Sequence, residues 1–92
     1  MDTLDQFRKK IDSIDDQLAT LLVERFLLTE QIGLYKKMHN IPILNMKREQ
    51  SMREKRATRF EAIAQEEYIV EVFETILKES KRQQVRLHEE TT

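Results

Sequence analysis

The sequence predicts an all-α chain of three helices, the first much longer than the others, that associates with a second copy of itself. Three observations carry this prediction. Chain breakers are almost absent, with one Gly and one Pro in 92 residues. Charged residues make up 36% and hydrophobics 39%, rich in Glu, Lys, Arg and Leu, a composition of long helices rather than strands. Apolar residues in the first third recur at alternating steps of three and four, the spacing of a helix that packs lengthwise on partners.

The first helix carries that seam at Leu4, Phe7, Ile11, Ile14, Leu18, Leu21, Arg25, Leu28, Ile32 and Tyr35. Thr3 or Asp2 caps its start. It stops before Pro42, because the residue preceding a proline avoids the α region. The stretch His39-Asn40-Ile41-Pro42 reads as a short loop. A second helix begins with Asn45 as its N-cap. Met46, Met52, Phe60 and Ile63 give it a thin apolar face, and residues 57–67 hold neither Gly nor Pro to mark its end. In the third helix Ile69, Val72, Phe73, Ile76 and Leu77 form one face. That face continues through Ser80 and Gln84 and returns to Leu87, and His88 to Thr92 read as a frayed tail. Residues 1–92 fit a single domain.

Composition removes several classes of function. The net charge is −1, so there is no global basic field for nucleic acid. No apolar run approaches the ~20 residues of a membrane span, and MDTLDQFRKK lacks the apolar core of a signal peptide, so a cytoplasmic location is expected. Cysteine is absent, which removes disulfide and thiol chemistry. His39 and His88 lie far apart with no partner at ligand spacing, so they read as solvated surface residues and no metal or cofactor is expected.

A helix of about 35 residues is roughly 50 Å long. A compact globule of this chain length has a radius of gyration near ~12 Å and a diameter near ~32 Å. The first helix therefore outruns its own domain with its seam in water. The two shorter helices cannot cover that seam, and self-association is the simplest way to bury it.

Residues that break the pattern carry the chemistry. Arg25 stands at a seam position, and a buried guanidinium needs a negative partner. Lys36 follows eleven residues later, a net rotation of only ~20° and a rise of ~16 Å, so both project from nearly the same face. Gly33 lies between them; a lone helical glycine costs ~1 kcal/mol relative to Ala, which points to a close approach there. Ser80 and Gln84 are one turn apart on the inward stripe of the third helix. Arg48 and Glu49 sit in the first turn of the second helix, just after Asn45. This inventory of cations, one carboxylate, one amide and one hydroxyl suits a small dianion that is held and polarised rather than attacked. Bland readings stand beside it. Arg25 and Lys36 can pair with Glu24, Glu30 or Glu49, Ser80 and Gln84 can fix helix register, Arg48 and Glu49 can be a solvated face, and Arg8 can snorkel at the surface.

Taken in order, FRKKIDSIDDQL with Arg8, LLVERFLLTEQIGLYKK with Arg25 and Lys36, IPILNMKRE with Arg48 and Glu49, and ILKESKRQQ with Ser80 and Gln84 resemble the AroQ-type chorismate mutases. The resemblance runs from Leu4 to about Leu87. It implies an intertwined all-α homodimer with two active sites that converts chorismate to prephenate on the route to Phe and Tyr. It implies that Arg25 meets a substrate carboxylate, and Lys36 a carboxylate and the ether oxygen. It also implies that Arg48 joins the cationic cluster, Glu49 accepts the ring hydroxyl, Ser80 helps to hold a carboxylate and Gln84 donates to the ether oxygen. Arg8 is implied to bind a carboxylate in the neighbouring subunit's site. Asn45 departs from the Asp common among relatives, and serves if that position acts as a cap or through its backbone. The rival readings are an isochorismate-pyruvate lyase or a 4-amino-4-deoxychorismate mutase on the same scaffold, and a helical interaction module without activity.

Overall fold

A computed structural model describes residues 2–90. They form three helices, α1 (Thr3–Met38), α2 (Met46–Phe60) and α3 (Glu66–Glu90). The chain is all-α, as its composition and periodicity predict. Asp2 is the N-cap of α1 and accepts from the Asp5 N–H at 2.8 Å. The other end closes with Asn40 in the left-handed region at φ 55°. The Ile41 N–H reaches back to the Lys36 carbonyl at 2.8 Å and the Asn40 N–H to Lys37. That pair of bonds satisfies the last carbonyls, and asparagine tolerates the left-handed geometry that most residues resist. Asn45 caps α2 by accepting from the Arg48 N–H at 3.0 Å.

The second half of α1 packs on α3, and α2 touches α3 rather than α1. The only buried residues of α1 are Thr29 and Gly33, both in that half. On α3 the line Phe73, Leu77, Ser80 and Gln84 faces inward, with the last three buried. Val72, expected on that face, is 58% exposed. It is turned by ~100° from Phe73, off the line that meets α1. α2 buries no residue. It is held at its flank by a two-pronged Arg53–Glu74 bridge and by Arg56, whose guanidinium lies 4.2 Å over the Phe73 ring. Ile63, expected on α2, lies in the turn after it. The tail expected from His88 is helical to Glu90, while Thr91 and Thr92 lie outside the described residues.

The chain is 56 Å long with a radius of gyration of 17.0 Å, against ~12 Å for a compact globule of this length. It exposes 7792 Å², roughly 2,000 Å² more than a globular monomer of its mass. The excess follows the α1 seam, where Leu4, Phe7, Ile11, Ile14, Leu18 and Leu21 are each more than half exposed. Among the described residues no helix is long and apolar enough to cross a membrane.

Candidate active site

Leu77 is the one buried hydrophobic residue among those described, and it lies among buried Thr29, Ser80 and Gln84. Where a small domain normally keeps apolar packing, this chain keeps polar groups around a cavity of about 340 Å³. Arg25, Lys36, Asn45, Arg48, Glu49, Ser80 and Gln84 all line it. Seven of the eight residues singled out from the sequence are thus brought together. The eighth, Arg8, is exposed near the start of α1, ~26 Å along the axis from Arg25.

Several of these side chains are held by their neighbours. Arg25 Nη1 donates to Ser80 Oγ at 2.6 Å, and Ser80 Oγ in turn donates to the Ile76 carbonyl at 2.8 Å. The Ser80 proton is committed to Ile76, and its oxygen fixes the direction of Arg25. Lys36 Nζ donates to the Ile43 carbonyl at 2.8 Å, tying the end of α1 to the α1–α2 connection. Glu49 has a side chain only 12% exposed and is bridged by Lys81 at 2.9 Å. The ion pairs considered for Arg25 and Lys36 with Glu24, Glu30 or Glu49 do not form, and Arg48 likewise has no carboxylate in bridging range. Burial lowers the pKa of Arg25 from its ordinary value, and Arg56 and Arg48 lower it further by repulsion. A guanidinium stays charged at neutral pH regardless, so this repulsion is a field that favours an anion.

Gln84 is 6% exposed, and its Oε1 is buried without a hydrogen-bond partner. A buried amide with an unsatisfied end is uncommon and costly. Here it stands at the cavity wall, one turn from Ser80.

Sequence reasoning missed Thr29, Lys81 and Gln83. Thr29 lies one turn beyond Arg25, on the same face, and that spacing was the available signal. It donates to Gln83 Oε1 at 2.6 Å, and Gln83 Nε2 donates to the Phe26 carbonyl at 2.9 Å. Lys81 lies off the inward stripe, so periodicity gave no sign of it. His88 also departs from expectation. It is half-buried, with its ring Nε2 3.0 Å from the Gly33 carbonyl oxygen. His39 is exposed, with its ring 4.1 Å from that of Tyr35. A larger, separate cleft of about 610 Å³ involves Phe26, Glu30, Glu79, Arg82, Arg86 and Glu90. Its charges are mixed, with Arg82 paired to Glu79 and the carboxylates of Glu30 and Glu90 lining it along with Arg86, so it does not gather cations as the smaller cavity does.

The arrangement has the charge and donors to hold a compact anion with more than one negative group, with an amide beside it. Among the described residues no cluster of His, Cys, Asp or Glu suits a metal ion. Fold and site together define an all-helical protein with a cation-lined cavity between its helices. The chorismate mutase type II family matches residues 7–85, and the chain belongs to that family. A bifunctional chorismate mutase/prephenate dehydratase of Aquifex aeolicus (strain VF5) is 42% identical over 55 residues, which cover 60% of this chain and 15% of that protein. The chain thus spans a small part of the length of this relative. No solved structure gives a significant match.

Proposed function

We propose that the chain is a chorismate mutase that acts as an intertwined homodimer of single-domain subunits, converting chorismate to prephenate. One observation carries the reading: Arg25, Lys36 and Arg48, without carboxylate partners, converge with the Gln84 amide on one small cavity. Chorismate is a dianion, and its rearrangement is pericyclic. An ether C–O bond breaks as a C–C bond forms, with no proton transfer, nucleophile or cofactor. Catalysis then consists of holding the folded diaxial chair and stabilising the charge that develops on the ether oxygen.

The cavity residues divide that work. Arg25 and Arg48 hold carboxylates, for which planar forks are suited. Ser80 aims Arg25. Lys36 and Gln84 donate to the ether oxygen, each worth ~3–4 kcal/mol in the transition state by analogy with other oxyanion donors. Glu49 accepts the ring hydroxyl, and Asn45 serves as the cap that orients the first turn of α2. Arg8 completes the site of the neighbouring subunit. The exposed α1 seam supports the dimer, since an excess of roughly 2,000 Å² per chain matches the interface of an obligate pair.

The test is an assay of chorismate consumption and prephenate formation by the purified chain, with isochorismate and 4-amino-4-deoxychorismate as competing substrates. Prephenate formation with chorismate as the preferred substrate is expected. A bicyclic dianionic mimic of the transition state should raise the Tm. Absence of both turnover and stabilisation would leave the helical interaction module as the reading.

A further inference from the structure

Two neighbouring glutamines on α3 are fixed in different ways. Gln83 has both ends of its amide bonded, to Thr29 and to the Phe26 carbonyl. Gln84 has an amide oxygen with no partner. Its orientation is therefore left to packing, and the packing against it is unusually close. A Cβ on Gly33 would lie 3.0 Å from Gln84 Cγ and 3.3 Å from Leu87 Cδ1. The stem of Gln84 rests on the bare backbone of α1, and being buried it can give way only toward the cavity that it lines.

One turn further along both helices a reciprocal pair of contacts closes over this point. The Gly33 carbonyl can only accept, so His88 Nε2 carries the proton and donates to it at 3.0 Å. Lys37 Nζ donates back to the His88 carbonyl at 3.2 Å. Gln84 and His88 are one turn apart on α3, and Gly33 and Lys37 one turn apart on α1.

We propose that Gly33 and His88 are positioning residues for the Gln84 amide, acting as a clasp that sets the distance between α1 and α3 where the amide meets the cavity. The proposal rests on Gln84 as the donor to the breaking ether bond. Gly33 supplies the close approach and the acceptor, and His88 supplies the donor that holds the two helices there.

Gly33→Ala, His88→Leu and His88→Gln test it in the full chain. Gly33→Ala should lower kcat at least about tenfold with KM within about twofold, because the lost interaction is made mainly in the transition state. Its Tm should stay level or rise, since alanine favours the helix. His88→Leu should lower kcat about three- to tenfold, and His88→Gln, which keeps a side-chain N–H donor, should restore most of it. In a Gln84→Ala background neither Gly33→Ala nor His88→Leu should lower kcat further. Independently of turnover, the side-chain NH₂ resonances of Gln84 should shift and exchange faster in Gly33→Ala and His88→Leu, while those of Gln83 stay put. A fall in Tm with kcat unchanged, effects that persist without Gln84, or unmoved Gln84 resonances would each overturn the clasp. If the wild-type chain does not turn over chorismate, the proposed reaction fails, and the Gln84 resonances alone decide the clasp.

Discussion

The two halves of α1 share one seam and one helix, yet they live in different surroundings. From Leu4 to Leu21 the seam is apolar and more than half exposed. From Arg25 to Lys36 the helix lies against α3 and turns polar side chains into a cavity. The first half is good packing surface without a partner in its own chain. The second half has a partner, places arginine where the seam pattern favours leucine, and keeps Leu28, Ile32 and Tyr35 about half exposed on the seam. Periodicity thus specifies which face is used, and the residue types along it specify for what. On the proposed reading, the apolar stretch serves another helix and the cationic break at Arg25 serves a ligand.

The largest effect should follow from breaking the first half. Ile14→Glu puts a charge in the middle of the seam that the proposed dimer buries. Light scattering should give the monomer mass, circular dichroism should record lost helicity, and activity should fall to background because each site loses its Arg8. A fully active dimer carrying this change would place the subunit interface elsewhere.

Arg25→Leu asks the opposite question of the second half. It restores the apolar seam and removes a guanidinium held among other cations. Activity should fall by about 10²–10³-fold, while the dimer persists and the Tm holds or rises. Loss of folding instead would make Arg25 a structural residue, and retained activity would remove it from the site.

A smaller signal joins the two halves. Arg8→Ala and Lys36→Ala are each expected to be nearly inactive. Refolded together, mixed dimers have one site lacking both groups and one lacking neither. Equal random mixing makes about half the dimers mixed, so about a quarter of wild-type activity should return. No recovery in demonstrably mixed dimers would confine Arg8 to its own subunit.

The smallest effect belongs outside α1, at the bridge that fastens α2. The Glu74 carboxyl is held below its ordinary pKa of 4.5, first by its hydrogen bond from Arg53. A depressed carboxylate pKa contributes stability at neutral pH that is lost as the pH falls below that ordinary value. Arg53→Gln should therefore lower the Tm slightly at pH 7 and by less at pH 3. Both side chains are largely exposed, so the shift should be small and further reduced by salt. An equal shift at both pH values would point to packing rather than charge.

Much of this was legible in the sequence. The α1 seam follows from its spacing alone, the Asn45 cap from its place before the α2 pattern, and the convergence of Arg25 with Lys36 from helical rotation. Ser80 and Gln84 stood out because they are polar on an otherwise apolar line. Other residues gave no such contrast. Thr29 and Gln83 are ordinary helical residues until the two helices are set side by side. Lys81 flanks the inward line rather than occupying it, and its bridge to Glu49 joins residues far apart in the chain. His88 read as part of a tail because no apolar residue follows Leu87, whereas its anchor is a backbone carbonyl, which no side-chain pattern reveals. Gly33 was marked as a close approach, but what approaches it is visible only in three dimensions.

α2 carries Arg48 and Glu49 to the cavity, yet it buries none of its own residues and leans on α3 through contacts near the surface. A helix held this way opens locally at low free-energy cost, and its backbone amides should exchange with deuterium sooner than those of α3 around Leu77. A ligand touching Arg48 and Glu49 would then add to the Lys81–Glu49 bridge in fastening this side of the site. Part of its binding energy goes into quieting α2, so affinity and local rigidity rise together.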